Sequence, residues 1–126
     1  MAGPVVIFLQ RDAYEAAWMA TSLALTAQAA GDAVTVVLSF AALRAWAEDR
    51  LGADGSATRR RGDELRAADP TRLLGEARAL GAKLVACETV VKLTGLPQDV
   101  ARAHLDQVLG LQSIWKLAEG ARVLSF

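Results

Sequence analysis

Apolar residues in this chain fall into short unbroken runs separated by longer segments in which they recur every three or four positions. That alternation is expected when buried strands are joined by amphipathic helices. The first run, residues 5–9, lies between Gly3-Pro4 and Gln10-Arg11-Asp12 and reads as a central strand covered on both faces. Asp12 stands where a carboxylate caps the following helix, predicted over residues 13–30, and Gly31 supplies a terminating conformation. One stripe on that helix runs Ala16, Met19, Ala20, Leu23, Ala27, Ala30, and a second runs Tyr14, Trp18, Thr21, Leu25. A single contact with a sheet uses one stripe, so the second meets either a neighbouring helix or another subunit.

Residues 32–38 form the next strand, through Val34, Val36, Val37 and Leu38, and the intervening helix makes the pair parallel. Ser39 follows at its carboxyl end and can cap a helix over residues 40–51, which carries Trp46 and stops at Gly52. Periodicity then lapses. Residues 52–68 spread Gly52, Gly55 and Gly62 among polar residues around Arg59-Arg60-Arg61, and read as a flexible surface loop with at most a helical turn near residues 64–68. The three arginines are either solvated or an arm toward an acidic partner or phosphate.

Asp69-Pro70 is a specific helix start, with Leu73, Ala77 and Leu80 as its buried stripe and Gly81 as its end. A third strand over residues 82–86 runs directly into a short helix from Glu88, closed by Gly95. Further short segments follow: a helix over 98–103, a strand over 105–109, a helix over 111–119 and a strand over 122–126. Five strands alternating with helices place the chain in the α/β class as a single domain over residues 1–126.

Composition narrows the function classes. At 126 residues the chain is long enough for one core without disulfides or metals. Its 14 basic and 14 acidic residues cancel, which makes nucleic acid an unlikely partner, and no apolar run approaches the ~20 residues of a membrane helix. One His and one Cys do not make a zinc site. The loop after the first strand has no glycine to admit a phosphate, which disfavours a flavin or nucleotide domain, and no cofactor is expected. The opening Met-Ala-Gly-Pro leads into apolar residues without a basic n-region, so a reducing cytoplasm is the expected location.

The single thiol, Cys87, falls at the carboxyl end of the third strand and the start of a helix. Ligands of open α/β sheets bind at that edge, and a helix N-terminus there presents unpaired N–H groups to a thiolate. Two readings stand side by side: a reactive thiol, or a small buried core residue. If the sheet is parallel, Arg11, Asp12, Ser39, Glu88 and Thr89 share the edge with Cys87. Arg11 and Thr89 would favour the thiolate and Glu88 would oppose it, while Asp12 and Ser39 also serve as helix caps and Arg11 as a solvated side chain. His104 reads as a surface or packing residue.

The stretches Val34-Thr35-Val36-Val37-Leu38-Ser39-Phe40, Leu80-Gly81-Ala82-Lys83-Leu84-Val85-Ala86-Cys87, Leu93-Thr94-Gly95 and Gly120-Ala121-Arg122-Val123-Leu124-Ser125-Phe126, in this order after the first strand and helix, resemble the DsrE/DsrF-like family of sulfur-relay subunits and their relatives. The resemblance implies a three-layer domain, flavodoxin-like in outline, with a mostly parallel five-stranded sheet and helices on both faces. It also implies homo- or hetero-oligomers. In sulfurtransferase members the cysteine matching Cys87 carries sulfur as a persulfide between donor and acceptor proteins, though some members lack that role or that cysteine. Here Glu88-Thr89-Val90-Val91 follows the cysteine, where relatives often have small or Met/Ser-rich residues. The alternative function is a non-catalytic oligomeric module of the same fold that binds a small ligand or a protein.

Overall fold

The computed structural model describes residues 3–126. Strands β1 (Pro4–Leu9), β2 (Ala33–Leu38), β3 (Lys83–Cys87), β4 (Gln107–Leu109) and β5 (Arg122–Ser125) alternate with helices α1 (Tyr14–Ala29), α2 (Phe40–Ala47), α3 (Ala57–Glu64), α4 (Pro70–Ala79), α5 (Glu88–Thr94), α6 (Gln98–His104) and α7 (Leu111–Leu117). One sheet forms, in the order β4-β3-β2-β1-β5, and every pairing in it is parallel.

That order explains how the helices are shared between the faces. From β1 to β4 each strand is laid outside the previous one, so right-handed crossovers put all their helices on the same face. The return from β4 to β5, on the far side of β1, reverses direction and sends α7 across the opposite face. The core divides accordingly. Val5, Ile7, Leu9, Val34, Val36, Leu38, Leu84 and Ala86 face α1, α2, α4 and α6, whereas Val6, Val37, Val85 and Cys87 face Ile114 of α7. Both faces are covered as expected, but unequally.

Small residues set the spacing of α1. Ala17, Ala20 and Ala24 are its fully buried line, while Met19 of the first expected stripe is exposed. Thr21, on the second stripe, is buried and donates Oγ1–H to the Ala17 carbonyl at 2.7 Å. The second stripe is met within the chain: α4 and α3 both pack against α1. Gly62 of α3 lies so close to Tyr14 that a Cβ there would collide with Tyr14 Oη.

The termini of α1 and α4 are built alike. Gly31 and Gly81 adopt φ of +97° and +115°, a conformation costly for residues with a Cβ. Gln28 ties the two together, donating from Nε2 to the Leu80 carbonyl at 3.1 Å and accepting from Val34 N at 3.1 Å.

Three sequence expectations are corrected. Asp12 does not cap α1; the orphan Tyr14 N–H donates instead to Asp54 Oδ2 at 2.8 Å, and Asp12 pairs with Arg50 at 3.5 Å. Ser39 precedes α2 but makes no side-chain cap bond; Ala42 N donates to the Gln10 carbonyl at 3.0 Å, and α2 ends at Ala47. Residues 52–68 are not structureless. Ser56 caps α3 by accepting from Arg59 N at 3.1 Å, and Asp54 orients Ser56 through both its N–H and its hydroxyl. By contrast Asp69 caps α4 as expected, accepting from Thr71 N at 2.8 Å beside Pro70 at the first turn.

Asp106 pins the start of β4. Its carboxylate accepts from Leu84 N at 2.7 Å and from Arg78 Nη2 at 3.1 Å, while its own N–H donates to the Leu84 carbonyl at 2.8 Å. Burial pushes this carboxyl up, but the Leu84 N–H, the Arg78 guanidinium and the Lys83 charge together hold it below its ordinary value. A lowered native pKa gives stability that is present above the unfolded-state pKa of about 4 and lost as pH falls through the native value. Asp106→Ala is expected to cost about 1–3 kcal/mol at neutral pH in urea unfolding, since Leu84 N–H loses its partner. The difference from wild type should shrink below about pH 4; a constant difference would contradict the assignment.

Candidate functional site

The carboxyl edge of the sheet is ordered by the register. Leu9 pairs with Leu38, Val37 with Val85 and Cys87 with Leu109. Continued by two residues, the β2–β3 register sets Ser39 beside Cys87, and Gln10 falls beside Ser39. Neighbouring strands stand about 4.8 Å apart, so the end of β1 lies about 10 Å from Cys87. The sheet therefore brings Ser39 next to Cys87 but leaves Arg11 and Asp12 two strands away. Arg11 is exposed, and Asp12 is engaged with Arg50.

Cys87 ends β3 and is the N-cap residue of α5, whose first turn begins with Glu88 and Thr89, both exposed. Its side chain turns to the α7 face, among Val6, Val37, Val85 and Ile114, and only 5 % of the residue is exposed. It is a free thiol. The far end of α5 is fastened by Arg44 of α2, whose Nη2 donates to the Thr94 carbonyl, and Gly95 closes the helix at φ +79°. Val91 anchors α5 in the larger core. Phe40, directly after Ser39, has φ +48°, a strained conformation for a bulky residue, and is partly exposed.

The neighbouring strands whose carboxyl ends lead to opposite faces are β3, which runs into α5, and β4, which runs into α7, so the topological switch lies beside the Cys87–Leu109 pair. On the other side of the sheet, β1 and the end of β5 are tied by backbone: Gln10 N donates to the Phe126 carbonyl at 2.9 Å, and Phe126 N to the Phe8 carbonyl at 2.7 Å. Among the described residues no group of three or more His, Cys, Asp or Glu side chains gathers as a metal site. Nor is any helix among them long and apolar enough to cross a membrane. His104 Nδ1 lies 2.9 Å from the Val100 carbonyl, and its own carbonyl accepts from Trp46 Nε1 at 2.8 Å, which is a packing role.

A second concavity is remote from Cys87. An apolar groove of about 370 Å³ runs between α1 and α3, floored by Tyr14 and Trp18 and rimmed by Met19, Arg61 and Leu65. Sequence reasoning singled out the Tyr14–Trp18 stripe and the arginine run separately. The signal that joins them is Asp54-x-Ser56, which turns a glycine-rich segment into a capped helix lying on that stripe.

Two solved structures share this architecture. The ychN protein of E. coli matches over 100 % of both chains at 18 % identity with a TM-score of 0.65. A conserved protein of unknown function from Bacteroides thetaiotaomicron matches over 98 % of this chain and 94 % of its own at 16 % identity, also with a TM-score of 0.65. At these identities the likeness shows the fold: a single α/β domain, three-layered and flavodoxin-like. No protein-family model matches the chain. No curated protein matches it either.

Proposed function

We propose that this protein is a cytoplasmic sulfur carrier that holds sulfur as a persulfide on Cys87. The observation that carries the reading is the place of its only thiol, at the junction of β3 and α5 and on the sheet face that α7 covers. The Cys87 thiolate attacks the outer sulfur of a donor persulfide; the donor S–S bond breaks, and the donor leaves as a thiolate. An acceptor thiolate then takes the outer sulfur from Cys87, which returns to its starting state with no net oxidation. A single cysteine suffices for this cycle. Thr89 and the first-turn N–H groups of α5 follow Cys87 in the chain but make no hydrogen bond to its thiol, and Ser39 is its neighbour by register on β2.

A second reading, a non-catalytic binding module, is favoured by the burial of Cys87 and by the remoteness of the α1–α3 groove from it. Exposed Leu111 and Trp115 on α7 support assembly with further copies or with a partner under either reading.

Incubation with glutathione persulfide followed by intact mass spectrometry separates the two. Wild type is expected to gain one sulfur atom that dithiothreitol removes, and Cys87→Ala to gain none. Folded wild type that takes up no sulfur would sink the carrier reading and leave the binding module.

A further inference from the structure

Residues 53–67 leave the body of the fold and return to their point of departure. Gly52, at φ +76° and with its N–H on the Asp12 carbonyl at 3.1 Å, lies so close to Pro70 that a Cβ there would stand 2.6 Å from Pro70 Cγ. Beside that contact Thr71 Oγ1 donates to the Leu51 carbonyl at 3.4 Å. The two ends of the excursion are therefore held to each other directly, whatever the residues between them do, as in a compact surface loop whose ends meet.

What lies between is held to the body by little. From residue 53 to residue 67 only Gly62 is buried, and Leu65 is 75 % exposed. The ties that do exist converge on the first turn of α1: Asp54 accepts the Tyr14 N–H, Thr58 donates to Glu15, and Gly62 sits on the Tyr14 ring. Other polar contacts stay inside the excursion, where Ser56 caps α3, Arg59 pairs with Asp63 and Arg60 donates to the Gly55 carbonyl. Beside Trp18 and Met19 the groove beneath α3 is left unfilled. A segment that buries one glycine and few apolar side chains belongs to the least stable part of a fold, although Tyr14, which it covers, is only 7 % exposed.

We propose that residues 53–67 are a flap, hinged where Gly52 meets Pro70 and latched by Asp54 on the first turn of α1, whose opening leaves the core folded and uncovers the Tyr14–Trp18 stripe. Arg66, at φ +56°, turns the chain at the end of α3. The latch is one carboxylate that serves both parts. It accepts from Tyr14 N at 2.8 Å, from Ser56 N at 3.0 Å and from Ser56 Oγ at 2.6 Å, so its loss frees the orphan donor of α1 and the cap of α3 together. The flap stands apart from Cys87 and works in the same way whether or not that thiol carries sulfur.

The test is native-state hydrogen exchange of the full chain, read by NMR, together with brief trypsin digestion. The Arg60 and Leu65 amides, bonded within α3, are expected to exchange about a hundredfold or more faster than the amides of β1 after correction for intrinsic rates. Urea below the unfolding transition is expected to speed β1 steeply and the flap scarcely, since opening exposes little surface. Ile7→Val, a mild change in the core, is expected to speed β1 exchange several-fold and leave the flap rates unchanged, because the open flap still has a folded core. Asp54→Ala is expected to raise flap exchange and cleavage after Arg59, Arg60 and Arg61 about tenfold, and to shift the Tyr14 ring signals. Flap amides that follow β1 through urea and Ile7→Val would overturn the proposal, for then the segment opens only when the whole chain unfolds. Flap exchange unaltered in Asp54→Ala would overturn it as well.

Discussion

Ile7→Ala is expected to lower the unfolding free energy by about 3 kcal/mol and the Tm by roughly 10 °C, read from urea and thermal denaturation. Ile7 is fully buried in the middle of β1, paired to β2 on one side and β5 on the other, and faces the four-helix side of the sheet. No neighbour can collapse into the vacated space without moving a strand that is itself held on both edges. The loss therefore combines the transfer free energy of the deleted carbons with that of the cavity. Trp115→Ala, a larger truncation, is expected to change the stability of the monomer by less than about 0.5 kcal/mol, because Trp115 is 79 % exposed on α7. Equal effects of the two substitutions would mean that the α7 face is covered in solution by another chain.

Alkylation of Cys87 by iodoacetamide is expected to run on the order of a hundredfold slower in the native protein than in urea at the same pH. A residue 5 % exposed beneath α7 reacts only through an opening, and an opening of about 3 kcal/mol gives that factor. Arg44→Ala is expected to speed the native reaction several-fold without a comparable loss of global stability, since the Thr94 carbonyl at the end of α5 loses its guanidinium partner. A native rate equal to the unfolded rate would show that the β3–α5 junction stands open. A rate that tracks only global stability would mean that α5 does not move alone. The proposed sulfur transfer at Cys87 would require local and frequent opening of α5, because a donor and an acceptor would each have to reach Sγ.

The three central strands, β1, β2 and β3, were legible because each centres on a short apolar run in a helix-alternating chain, and a strand buried on both faces needs no periodicity to announce itself. Asp69-Pro70 and Gly95 were legible because a cap and a left-handed terminator act within a few residues of themselves. Asp12 and Ser39 misled for the complementary reason. Both stand where a cap is found, but the donors of α1 and α2 were already met by Asp54 and by the Gln10 carbonyl. The helix at residues 57–64 was hidden because it has almost no apolar face. It is held by Ser56 and Asp54 and by the contact of Gly62 with Tyr14, which lies 48 residues earlier in the chain.

The sequence by itself determined the α/β class, the parallel sense of the strands joined through helices, and the place of Cys87 at the end of a strand. These follow from residue patterns whose effects are local: apolar runs, caps and glycines. Only the tertiary structure decided that the chain returns from β4 to β5 across the opposite face, since the strand order is set by how the helices pack and not by any segment alone. That return buries Cys87 under α7, separates it from Arg11 by two strands, and leaves Tyr14 and Arg61, 47 residues apart in sequence, facing one groove. Such meetings depend on long-range packing, to which the spacing of residues along the chain gives no measure.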